Sequence, residues 1–246
     1  MVTTTREILF SIIIFVLMLG IGLWIHDPIL FPVQQSQLEI ISAVQIDKDI
    51  DKFDYIGRTD VGDFLANGTL STPDPVSISD IPGEYMYIEK VKEKYTMHTE
   101  TYTTTDDEGH THIHTKTYWS WDVEDINHVN CNYYTFLGKT FPVNSVHFNI
   151  HWHTIYYDTI EESSNIRYVY YVFPTTVDGC MMGNVKDKTY NNLVFNHNKS
   201  VQDIIDSAEN KITISKVLYW FIWLLITGGL IFGFYYLENN WLEDNK

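Results

Sequence analysis

Cysteine is scarce in this chain: Cys131 and Cys180 are its only two among 246 residues. That is too few for a disulfide-built scaffold or a cysteine-rich zinc centre. Positive charge is also short, with 16 Lys plus Arg against 32 Asp plus Glu and a formal net charge of −16. The deficit persists over residues 27–215, where 28 acidic residues face 13 basic ones. Such a surface argues against nucleic acid as a partner, and against polybasic docking on anionic lipid. The sequence also lacks a Walker loop, Gly-x-Ser-x-Gly, His-Glu-x-x-His and Cys-x-x-Cys, so no catalytic activity is expected from its motifs.

Charge is missing altogether from two long stretches. Residues 8–25 carry Ser11 as their only polar side chain, and residues 217–237 contain Thr227 but no charge. A bilayer core of about 30 Å needs roughly 20 helical residues, so both runs are expected to be transmembrane helices in contact with the lipid bilayer. The first is longer than a signal-peptide core. It exits through Trp24, Ile25, His26, Asp27 and Pro28 without a small-residue cleavage site, so an uncleaved span is expected. The second has Tyr219, Trp220 and Trp223 near one end and Tyr235, Tyr236 and Trp241 near the other, as interfacial aromatics would lie. The expected organisation is a tail at 1–7, a span at 8–25, a membrane-proximal domain at 26–216, a span at 217–237 and a tail at 238–246. Arg6 before the first span favours an extracytoplasmic middle domain, although Lys211 and Lys216 before the second pull the other way. No ionisable residue lies within either run, which argues against ion or proton transport by this chain alone.

Tyr, Thr, Ile and Val between the spans suit a pleated surface. The expected fold is therefore an α+β membrane protein, with two helices flanking one β-rich domain built of mostly antiparallel sheet or a barrel-like form. Strands are expected at 85–91, 94–105, 110–121, 133–136, 147–152 and 166–173, the last central in its sheet because it is apolar on both faces. Helical pieces are expected at 32–44 and 200–210, the second with Val201, Ile204, Ile205 and Ala208 on one face. Threonine alternates along both arms of a hairpin at 94–121, with Asp106-Asp107-Glu108-Gly109 as its turn. Its tip should project into water and its aromatic base, Tyr118-Trp119-Ser120-Trp121, should anchor in the core.

His110, His112 and His114 alternate within that hairpin, a spacing that can bring imidazoles to one face for zinc or copper. No cysteine or carboxylate is obviously placed to complete such a shell. Cys131 and Cys180 can either close one disulfide or remain buried thiols, since sequence separation does not set their distance. Asp47, Asp49 and Asp51 imitate a calcium loop, but Lys52 and Arg58 stand where glycine and the bidentate glutamate belong. Asn67 and Asn198 open glycosylation sequons that matter only in a eukaryotic secretory pathway. Gly229 and Gly233 form a small-xxx-small pair suited to close helix packing, with Gly20 and Gly22 as a counterpart.

One stretch resembles a known arrangement. Gly68-Thr69-Leu70, Pro73-Asp74-Pro75-Val76-Ser77, Gly83-Glu84-Tyr85-Met86-Tyr87, Glu93-Lys94-Tyr95 and the Trp119/Trp121 segment cover about a quarter of the chain. Together with the span–domain–span layout, they resemble GIDE-type proteins and the LUMA family of transmembrane proteins. The hairpin is also similar to uncharacterised membrane proteins of bacteria and their phages. The resemblance implies a β-rich, membrane-proximal domain used for protein contact or membrane organisation. Ubiquitin-ligase members carry a zinc-binding RING after their second span; the required cysteines are absent here, so that activity is not carried over, and no cofactor is implied. The resulting expectation is a membrane scaffold or interaction protein whose partner is a protein at the membrane surface or a second copy of itself. A histidine-based metal or sensing domain and an accessory subunit of a membrane complex stand as alternatives.

Overall fold

The computed structural model describes residues 5–244, with side chains for 8–238. Residues 1–4 and 245–246 of the expected tails, and the side chains of Arg6 and Trp241, lie outside the described residues. Two compact units form, one built on the long helices and the other on residues 46–61 and 66–199.

The helices are α1 (Thr5–Ser42) and α3 (Val201–Asp244), both long and apolar enough to cross a membrane by length and composition. They run antiparallel, as shown by contacts that climb one helix while descending the other. Phe10 meets Phe234 at 5.8 Å between ring centroids, and His26 meets Tyr219 at 5.1 Å. The Trp223 indole donates to the Met18 carbonyl at 2.9 Å, and the Tyr219 hydroxyl donates to the Gly22 carbonyl at 2.6 Å. Gly22 is needed at this crossing because a Cβ there would run into the Trp223 ring. The start of α3 is a reciprocal cap: Ser200 N–H donates to the Asp203 carboxylate at 2.7 Å, and Asp203 N–H donates back to Ser200 Oγ at 3.2 Å. Val201, Ile204, Ile205 and Ala208 are all buried, as their spacing implies.

The intervening elements are β1 (Val44–Asp47), α2 (Ile50–Arg58), β2 (Gly62–Ser71), β3 (Val76–Ile78), β4 (Ile81–Tyr85), β5 (Tyr87–Thr105) and β6 (Thr111–Asn130). They continue as β7 (Tyr133–Phe136), β8 (Lys139–Pro142), β9 (Val146–His147), β10 (Ile155–Ser163), β11 (Ile166–Phe173), β12 (Thr176–Lys186) and β13 (Thr189–His197). One sheet has the order β8-β7-β2-β12-β13-β9 with β1 on β2; a second is β10-β11-β5-β6; β3 and β4 pair alone. The aspartate triplet that imitates a calcium loop instead starts α2. Asp49 caps it by accepting from Lys52 N–H at 2.9 Å, and Asp47 accepts from the Asn67 amide at 3.1 Å.

Aromatic rings link the sheets. Phe53 packs on Phe136 (5.6 Å), Phe136 on Phe195 (6.1 Å), Phe195 on Phe148 (5.1 Å) and Phe148 on Phe173 (5.5 Å). Each such pair adds about 0.5–1.5 kcal/mol beyond the area it buries. The β3–β4 pair covers one side of the second sheet, where Ile81 packs with Ile88, Tyr170 and Val172. Central β11 lies between β10 and β5, as its two apolar faces imply.

Three local expectations need correcting. The 147–152 stretch forms a strand only at Val146–His147 and then turns through a 3-10 segment, Ile150–His153. The hairpin is longer than 94–121, because β5 and β6 pair from Tyr87↔Asn130 to Thr105↔Thr111. Its aromatic base is not wholly in the core either, since Trp119 is 55% exposed.

Candidate functional site

The β5–β6 ribbon runs beyond the rest of its sheet. β11 accompanies β5 only as far as Lys94, paired with Ile166, and Tyr95 N–H makes a last bond to the Asn165 carbonyl at 2.9 Å. From there, among the described residues, the two strands pair only with each other for about 35 Å, at roughly 3.3 Å per residue. The turn is closed by Asp106. Its N–H donates to the His110 carbonyl at 3.0 Å, and its carboxylate accepts from His110 N–H at 2.8 Å and Glu108 N–H at 3.1 Å.

Strand alternation divides the ribbon into two unlike faces. The even-numbered residues of 94–104 and 112–122 share one face, and the odd-numbered residues of 95–105 and 111–121 share the other. The even face is polar, and its groups satisfy one another. Asp122 accepts from Thr96, from His98 Nε2 at 2.6 Å and from Ser120 at 3.0 Å. The Tyr118 hydroxyl donates to Glu100 at 2.8 Å, and its ring stacks on His98.

The odd face has threonine rows toward the tip and aromatics at the base. Tyr95 stacks on Trp119 at 5.5 Å and tilts against Trp121 at 5.1 Å. The Arg167 guanidinium lies 4.3 Å over the Trp121 ring while its Nε donates to Glu93 at 2.6 Å. Met97 and Ile113 are 57% and 74% exposed.

The three candidate histidines do not converge as a set. His112 lies on the even face with Nε2 3.1 Å from Asp106, whereas His110 belongs to the turn and approaches the same carboxylate at 3.4 Å. The His112 contact, helped by the His110 and Glu108 amides, holds Asp106 below the usual carboxylate range. His114 instead stacks on Tyr102 at 5.2 Å and meets Thr104 Oγ1 at 2.8 Å. His98 sits opposite Tyr118, away from the trio. Among the described residues, no group of three His, Cys, Asp or Glu is arranged to hold a metal ion.

The remaining candidates are dispersed. Cys131 and Cys180 are free, buried thiols; burial raises both, Cys180 to about 11. Asn67 is half-buried within β2, whereas Asn198 is exposed after β13 with a left-handed φ of 54°. A Cβ on Gly229 or Gly233 would meet no atom of the described residues within 4 Å, so among these neither supports the α1–α3 crossing.

One polar cluster escaped the sequence reading. Glu89, 5% exposed on β5, accepts from the Tyr87 hydroxyl at 3.0 Å and approaches His151 Nδ1 at 2.5 Å. His153 turns elsewhere and packs on His197 at 4.8 Å; burial and then this neighbour lower the His197 pKa. The only local signal was the repeated His151/His153 spacing, which gave no hint of Glu89. The open groove along 144–149 and 192–194 has His147 as its one titratable side chain. No family model, curated protein or solved structure matches this chain.

Proposed function

We propose that this protein is a membrane-anchored scaffold, spanning the bilayer with α1 and α3 and presenting the β5–β6 ribbon to a protein partner at the membrane surface. The observation that carries the reading is the ribbon's continuation past β11 with Trp119, Met97 and Ile113 exposed. A two-stranded ribbon outside a core is marginal alone, and exposed aromatic and aliphatic side chains are costly in water unless another surface covers them. The uncharged runs within α1 and α3 support a double anchor, and Arg6 favours an extracytoplasmic domain. The layout resembling GIDE-type and LUMA proteins fits the same role. No catalytic step is assigned. A metal-sensing role has less support, because Tyr102 and Thr104 engage His114 while Asp106 holds His110 and His112.

The test is a shortened ribbon in which Asn-Gly replaces residues 97–119, closing the strands at the Thr96↔Ser120 pair. Full-length and shortened proteins are crosslinked in their native membranes and recovered. The shortened protein should fold and lose its crosslinked partner; recovery equal to that of the full protein would sink the reading.

A further inference from the structure

The unlike faces of the ribbon bear on who that partner is. On the odd face, the residues of 95–105 and 111–121 include no acidic, basic or histidine side chain, in a chain whose formal net charge is −16. Two acidic bodies repel through most of their surface, and this strip is a place where that repulsion is relieved. Its threonine hydroxyls, such as those of Thr101 and Thr115, have no partner among the described residues, whereas Asp122 and Glu100 organise the polar groups of the even face. Rows of β-branched side chains on a pleated face can interdigitate with an identical face about 10 Å away. Tyr95 and Trp119 provide aromatic anchors at one end of the strip.

We infer that the ribbon's partner is a second copy of this chain, packed odd face to odd face about a twofold axis. The inference rests on the membrane-anchored reading above. Two strands about 4.8 Å apart and about 35 Å long give a footprint of about 350 Å² per copy, or about 700 Å² in total. A stable complex in solution ordinarily buries about 1,200 Å² or more. The missing affinity comes from confinement: copies anchored in one bilayer meet at a raised effective concentration.

Disulfide trapping of the full chain in liposomes tests this arrangement. Single cysteines are introduced at Met97, Thr101 or Thr115 on the odd face and at Glu100 or Lys116 on the even face, then oxidised with copper phenanthroline. The buried Cys131 and Cys180 provide the unmodified control. The fastest covalent dimer should come from an odd position. Adding Thr101→Lys to the Thr115→Cys chain should lower its yield about tenfold or more, by placing like charges across the axis. Equal or faster trapping from even positions, or indifference to Thr101→Lys, overturns face-to-face packing. Absence of dimer from every position overturns the second-copy assignment; ribbon-dependent recovery of a different protein would then preserve the scaffold reading, and its absence would remove both.

Discussion

Along 87–94, β5 lies between β11 and β6, and Ile88, Glu89 and Val91 are all buried. Along 95–105 the same strand has β6 alone beside it, and Tyr95, Met97 and Tyr102 are 37%, 57% and 52% exposed. Pairing continues unbroken across this boundary, but its support changes. At the base, burial and packing hold β5, with β6 exposed along 123–129; at the tip, cross-strand pairs such as Tyr102–His114 and Thr104–His114 must hold both strands. A strand can thus belong to the core at one end and stand exposed at the other, with one register shift, between Lys92 and Glu93, shortly before the change. Stability and association should therefore separate along its length.

The largest stability loss should follow a cavity at the base. Ile88→Ala should cost about 2–5 kcal/mol in chemical unfolding, because Ile88 is 1% exposed among Ile81, Tyr170 and Val172. Glu89→Ala should cost about 1–3 kcal/mol by the same measurement, leaving the Tyr87 hydroxyl and His151 without their shared acceptor.

A smaller effect is expected at Asp80, whose carboxylate is held by Lys90, then by Tyr170 and Ser79, with its pKa lowered to about 2. Its folded value lies below its unfolded one, so this stabilisation is present above about pH 4 and disappears as pH falls toward about 2. Asp80→Asn should flatten that part of the acid-unfolding curve. At neutral pH it should cost about 1 kcal/mol or less, since the solvent-accessible carboxylate is screened. The smallest change belongs to the tip: Ile113→Ser, at a 74% exposed position, should shift stability by no more than about 0.5 kcal/mol. A loss there as large as at Ile88 would break the comparison.

Much of this organisation was legible in the chain. The two uncharged runs correspond to the long apolar helices, the expected strands at 133–136 and 166–173 coincide with β7 and β11, and Asp106-Asp107-Glu108-Gly109 forms the hairpin turn. Features set by distant partners were less visible. Val146 and Ile150 are buried at alternating positions, but only Val146 and His147 find β13, so a local strand pattern becomes a 3-10 turn. Trp119 looked like a core anchor because aromatic side chains favour burial. Its exposure instead follows from where β11 ends, which residues near 119 do not encode. The histidine spacing correctly put His112 and His114 on one strand face, but alternation ended at the turn, where Asp106 captured the His110 amide.

The central claim is that the ribbon tip is a contact element, and amide hydrogen exchange in native membranes tests it directly. Exchange over 96–105 and 111–120 is measured there and again in purified, detergent-dispersed protein at high dilution. The account predicts slower exchange of these segments in membranes, with 87–94 and 166–173 protected alike in both. Equal exchange of the tip in the two settings would contradict it.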